Sequence, residues 1–137
     1  MSSIRLLFLL LIPVVASCST DPGTAGTPPL YLEVGPGLTE LLPHMQEGTL
    51  LHLTVLVTSG GKPAPGVQVN WYDNRIPSAL STKVSETNAE GIAESIWSLP
   101  TLPANLPWAT YSTQVTVPGA IGNPIVYTIE VYRCTRC

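Results

Sequence analysis

Along TLLHLTVLVT, apolar and polar side chains alternate: Leu51, Leu53, Val55 and Val57 share one face, and His52, Thr54 and Thr58 the other. A period of two marks a half-buried strand, because successive side chains of an extended chain point to opposite sides. The pattern recurs. GVQVNWY groups Val67, Val69 and Trp71, while IAESIWSL groups Ala93, Ser95, Trp97 and Leu99. ATYSTQVTV aligns Tyr111, Thr113, Val115 and Val117, and PIVYTIEVY aligns Ile125, Tyr127, Ile129 and Val131. A shorter strand is expected at LYLEV. These segments are rich in the β-branched and aromatic residues that fit a pleated surface. SGGKPAPG, TNAEG and VPGAIGNP separate them and supply turn chemistry, TNAEG reading as a hairpin turn. GLTELLPHMQEG has room for one helical turn, limited by Pro43 and Gly48. Short strands at this spacing, with no clear amphipathic helix, predict an all-β antiparallel sandwich with Trp71 and Trp97 in its core.

The N-terminus follows a different pattern. Arg5 precedes an apolar run from Leu6 to Ala16, which is too short to span a bilayer and contains Pro13. This is the layout of a secretory signal peptide. Val15-Ala16-Ser17-Cys18 closes the run and resembles the bacterial lipobox: an aliphatic residue, two small ones, then cysteine. The resemblance implies cleavage before Cys18, a diacylglyceryl thioether on its thiol and acylation of the new amine, palmitate being typical. One chain holds a protein to a membrane only marginally, whereas two or three hold it durably, at about 0.8 kcal/mol per buried CH₂. Residues 1–17 are therefore expected to leave as a signal peptide. Residues 18–29, rich in Ser, Thr, Gly and Pro, read as a lipidated cysteine and flexible linker. The folded domain is expected over 30–137. Ser19 directly after the anchor resembles the pattern of Gram-negative lipoproteins sorted to the outer membrane.

Processing leaves 120 of the 137 residues, enough for one domain. Arg5 departs with the signal, so five basic side chains face nine acidic ones, a net charge of about −4. An acidic chain without a Lys/Arg cluster is a poor match for nucleic acid. The 14 prolines and 11 glycines argue against a helical bundle.

Three segments in order carry a second resemblance. Gly61, Pro63, Gly66, Val67 and Val69 form a Gly-x-Pro-x-x-Gly-Val-x-Val turn and strand. Thr87, Asn88 and Gly91 form a Thr-Asn-x-x-Gly turn, with the small Ala93 beyond it. Alternating strands around Val115 and Val126 complete the series. Together they resemble the group 1 bacterial immunoglobulin-like domain of the invasin and intimin type, over roughly residues 49–132. The resemblance implies an immunoglobulin-like sandwich used for display, spacing or adhesion, without shared catalytic residues. Two features depart from it: Ser59 stands where the family usually has Asp, and the chain has room for one copy of a domain that usually occurs in tandem.

Candidate chemistry is sparse. Glu86, Asn88, Glu90 and Gly91 imitate the start of a calcium loop, but its twelfth position, which requires a bidentate acid, is Trp97. The histidines, His44 and His52, have no cysteine or carboxylate cluster at ligand spacing, so no metal or other cofactor is expected. His52, Gly61-Lys62-Pro63-Ala64, Thr87-Asn88 and Tyr132-Arg133 partly resemble the hydroxyisourate hydrolases of the transthyretin sandwich. His52 lies two residues too far from the lysine, and the second catalytic histidine has no counterpart. The expectation is a protein that is not an enzyme.

Two features remain. With Cys18 lipidated, Cys134 and Cys137 form an even pair in an oxidising compartment, and a local disulfide is expected. PTLPANLPW is a proline-rich, uncharged loop that either packs over one end of the sandwich or offers a contact patch, with Leu102, Leu106 and Trp108 as the candidate contact residues. The sequence as a whole predicts a lipid-anchored envelope module that touches a protein or glycan. A small-ligand or carbohydrate-binding accessory lipoprotein is the alternative.

Overall fold

The alternating segments become strands of two facing sheets in the computed structural model, which describes residues 26–74 and 79–133. The signal segment, Cys18, Cys134 and Cys137 lie outside the described residues. Nine strands run among the described ones: β1 (Leu30–Val34), β2 (Met45–Gln46), β3 (Leu50–Ser59), β4 (Lys62–Pro63), β5 (Gln68–Tyr72), β6 (Val84–Glu86), β7 (Ile92–Ser98), β8 (Trp108–Thr116) and β9 (Ile125–Tyr132). In the first sheet β3 pairs antiparallel with β1, β4 and β7. The second runs in the order β2-β9-β8-β5-β6, with β2 parallel to β9 and the other pairs antiparallel.

Registers bring the inward positions together. Leu51 lies opposite Trp97, Leu53 opposite Ser95, Trp71 opposite Val115, and Tyr111 opposite Ile129. Leu53, Val55, Val57, Val69, Trp97, Val115, Tyr127, Ile129 and Val131 are fully enclosed between the sheets. Burying one such side chain contributes on the order of 1.5–3 kcal/mol, so the apolar faces supply the main drive for closing the sandwich. Two inward hydroxyls are satisfied by backbone carbonyls: Thr113 Oγ1 donates to Tyr72 O at 2.8 Å, and Ser95 Oγ to Thr82 O at 3.2 Å. Trp71 Nε1–H donates to Ser85 Oγ at 2.8 Å. Tyr127 ties the sheets together, its hydroxyl on β9 donating to Thr54 O on β3 at 2.6 Å.

The two turn motifs interlock. Thr87 is buried, donating through Oγ1 to Ala64 O at 2.5 Å and accepting from Val67 N–H at 2.9 Å. Asn88 Oδ1 accepts from the N–H groups of Glu90 and Ile92, both at 3.0 Å. Gly91, at φ +73°, places its carbonyl against Val57 N–H at 2.8 Å, and a Cβ there would sit 2.5 Å from Val57 O. TNAEG is thus a corner rather than the expected hairpin turn: it leads from β6 in one sheet to β7 in the other. Asn88 spends its oxygen on the backbone of that corner.

The stretch GLTELLPHMQEG is also extended. Leu42 N–H donates to Thr128 O at 2.9 Å, Thr128 N–H to Glu40 O at 2.8 Å, and Glu47 N–H to Tyr132 O at 3.0 Å. It runs beside β9 and sinks Leu42 into the core while Leu41 stays outside. Pro43 has no N–H to offer a helix, and the edge of β9 satisfies the neighbouring backbone groups instead. At the first turn Ser59 Oγ donates to Pro28 O at 3.1 Å. Gly60 and Gly61, both at positive φ, close the tight β3–β4 connection.

Candidate functional site

The sandwich has two distinct ends. Leu30 pairs with Ser59, so the chain enters the domain at the Gly60–Gly61 end. Leu50 pairs with Ser98 at the other end, where the loop of residues 99–107 leads into β8. Nine strand steps along β3 separate these ends by about 30 Å.

Two charged side chains hold the 99–107 loop down. Glu47 Oε2 accepts from Leu102 N–H at 2.6 Å, and its Oε1 lies 3.7 Å from Arg133 Nε. The Arg133 guanidinium donates to Ala104 O at 2.8 Å and also to the carbonyls of Leu102 and Pro103. Arg133 N–H closes the base of the loop on Pro107 O at 2.9 Å. A planar fork of donors suits such a cluster of carbonyls, which a lysine could not hold in one geometry.

This anchoring divides the three candidate contact residues. Leu102 is only 3% exposed and packs in the core beside Leu99, so it is not available as a contact. Leu106 remains on the surface at 40% exposed. Trp108 is 59% exposed but belongs to β8 rather than to the loop, a correction that changes its neighbours. Its partner across the strands is Tyr132, 45% exposed. Because the adjacent Pro107–Arg133 position carries the hydrogen bond, Trp108 and Tyr132 form a non-hydrogen-bonded pair, in which side chains approach most closely.

The two rings open onto a groove of about 500 Å³ lined also by His44, Pro107 and Glu130. His44 Nδ1 lies 3.0 Å from Glu130 Oε2, joining the segment before β2 to the outer face of β9. Leu41, 72% exposed, continues the surface along the same edge. Sequence reading missed Tyr132 and His44 as parts of this surface. The alternation of PIVYTIEVY does place Tyr132 outward, but only strand register reveals that it faces Trp108. His44 sits in a segment without a period, so its position had no local signal.

The residues resembling a hydrolase do not converge. His52 lies on the outer face of β3, seven residues from Ser59, whose partner is Lys62, which puts His52 and Lys62 about 23 Å apart along the strand. Arg133 is committed to loop carbonyls. Among the described residues, no group of three or more His, Cys, Asp or Glu is disposed to hold a metal ion, and no helix is long and apolar enough to cross a membrane.

No protein-family model and no curated protein matches the sequence. Solved structures do match the fold. The D0–D1 domain of intimin is similar at a TM-score of 0.53 and 16% identity, over 74% of this chain and 46% of that one. The chain has an immunoglobulin-like fold. A Bacteroides ovatus GH5 xyloglucanase in complex with a XXXG heptasaccharide is similar at 0.53 and 14% identity, over 75% of this chain and 19% of that one. The apo Calx CBD1 domain is similar at 0.50 and 8% identity, over 77% and 97%. The chain thus spans less than half of the intimin fragment and about a fifth of the xyloglucanase, and at these identities the likeness concerns the fold.

Proposed function

We propose that this protein is a non-catalytic contact module of the cell envelope, held to the outer membrane by lipid on Cys18. Residues 1–17 are removed, 18–29 link the lipid to the domain, and the intimin-like sandwich presents a surface to a protein or glycan. The observation that carries this reading is the domain's polarity. The chain enters at the Gly60–Gly61 end, whereas Leu106, Trp108 and Tyr132 lie about 30 Å away at the other. An anchor at the N-terminus would therefore leave the exposed aromatic end facing away from the membrane. Exposed aromatics on a rigid frame are the residues that dominate contact energetics.

A clickable fatty acid fed to cells should label the wild-type chain and not Cys18→Ala, which should also leave the membrane fraction. Equal labelling of both would remove the anchor. A photo-crosslinking residue at position 106 should give adducts in intact cells, and one at the exposed position 62, at the entry end, should not. Equal adducts at both positions, or none at 106, would remove the contact surface.

A further inference from the structure

The outer face of the second sheet reads as one continuous surface along β8. At one end stand Trp108 and Tyr132. At the other, Tyr72 on β5 lies opposite Gln114 on β8 and is 63% exposed. The six strand steps from Trp108 to Gln114 span about 20 Å. Between these aromatic ends the outward positions are Thr110, Ser112 and Gln114 on β8, facing Glu130, Thr128 and Val126 in turn on β9. The three β8 side chains and Thr128 are uncharged groups that both donate and accept hydrogen bonds. A shallow depression beside Ser112 and Gln114, lined also by Tyr72 and Asn74, connects the middle of the face to its Tyr72 end.

The charge on this face is small. β5, β8 and β9 contain no Lys or Arg, and the Glu130 carboxylate meets His44. A phosphate or sulfate polymer would find no Lys or Arg on these strands and would meet the Glu130 carboxylate, which argues against nucleic acid and acidic glycans. A protein partner is also a poorer match, since interface cores gather apolar side chains, and here three hydroxyls and an amide occupy the middle of the strip with Val126 as its one apolar side chain. A neutral polysaccharide has the complementary chemistry. Its sugar rings carry apolar C–H faces that stack on aromatic rings, and hydroxyl edges that exchange hydrogen bonds with Thr, Ser and Gln.

We propose that the outer face of β5, β8 and β9 binds an extended, neutral polysaccharide chain, stacked at its ends on Trp108–Tyr132 and Tyr72 and hydrogen-bonded between them. This names the ligand class for the contact surface proposed above and rests on that reading of the aromatic end. Trp71 and Trp97 are enclosed, so Trp108 is the tryptophan that a bound ligand can cover.

The test is native affinity electrophoresis of the full-length protein through gels containing glucomannan, mixed-linkage β-glucan, dextran or heparin. At least one neutral polymer should retard the protein, shift its tryptophan emission to the blue and shield it from iodide, and heparin should do none of these. Trp108→Ala and Tyr72→Ala should each weaken the retardation by roughly tenfold, as for central aromatic contacts, and Leu50→Ala on the other sheet should leave it unchanged. Trp108→Phe keeps a ring on β8 and should bind within about threefold of wild type, so it decides the matter if Trp108→Ala fails to fold. Absence of retardation in all three neutral polymers would overturn the proposal. So would retardation by heparin alone, or retardation unaffected by both alanine variants. Adducts at position 106 without polysaccharide binding would keep the contact reading and discard the polysaccharide.

Discussion

Tyr127 shows how one residue both satisfies and constrains the core. Its ring is enclosed among the strands while its hydroxyl bridges the sheets to Thr54 O, so the polar tip is satisfied where water cannot reach it. Burial pushes the phenol up to about 12 from its usual 10.0, Glu40 adds to the rise, and a hydrogen bond with the Gly35 backbone offsets part of it. The fold therefore holds the protonated form. Below pH 10 this contribution is complete. Between pH 10 and 12 the unfolded chain loses the proton and the folded one keeps it, so stability falls by about 1.4 kcal/mol per pH unit. Denaturant unfolding across that window should show a fall of up to about 3 kcal/mol in wild type, with a correspondingly smaller fall in Tyr127→Phe. The variant should lose about 1 kcal/mol at neutral pH for the missing hydrogen bond. Identical pH dependence in the two proteins would mean that Tyr127 titrates freely.

Among the elements, the 99–107 loop is the most informative, because composition alone misdescribes it. A proline-rich, uncharged stretch reads as a free surface, yet Leu99 and Leu102 are core residues and Arg133 and Glu47 fasten its backbone. Arg133→Ala should release it. A hydrogen bond to a charged group contributes about 1.5–3 kcal/mol, and of the three carbonyls only that of Leu102 accepts away from open solvent, so the variant should unfold about 2 kcal/mol more easily. Hydrogen exchange should quicken at Leu102 and Leu106 before it quickens in β3. Unchanged exchange in the loop would show that the buried leucines hold it without the guanidinium. The TNAEG corner teaches the same lesson from the other direction. Its residues were legible as a turn, since Asn and Gly have turn chemistry wherever they occur. Which strands it joins depended on Thr87 reaching Ala64 and Val67, contacts 23 and 20 residues distant in the chain.

At the scale of the whole molecule, the sandwich separates chain entry from the aromatic end, and the last described residue, Arg133, lies at that same aromatic end. Cys134 follows it directly in the sequence and Cys137 three residues later. In an oxidising envelope a pair of thiols this near in sequence should close on itself, and no other cysteine remains once Cys18 carries lipid. Intact mass of the protein isolated from membranes should be lighter by two hydrogens than the dithiol form. Two thiols open to alkylation without reductant would refute the disulfide.

Period-two alternation, turn residues and the absence of a helical period were enough to read the all-β sandwich and its core faces from the sequence. Strand side chains alternate whatever the partner, so Leu53, Val55, Trp71, Trp97 and Tyr127 declare their inward direction locally. The acidic balance and the run from Arg5 to Cys18 are likewise properties of the linear chain; the expectation of no nucleic acid rests on the first, and those of secretion and lipidation on the second. The tertiary structure alone decided what depends on register and on which sheet a strand joins. It sent Leu102 inward, placed Trp108 beside Tyr132, brought His44 to Glu130, and turned GLTELLPHMQEG into an edge along β9. The physical reason is that an outward side chain acquires its neighbours from other strands, and pairing across a sheet is selected by the packing of the whole core rather than by any single segment.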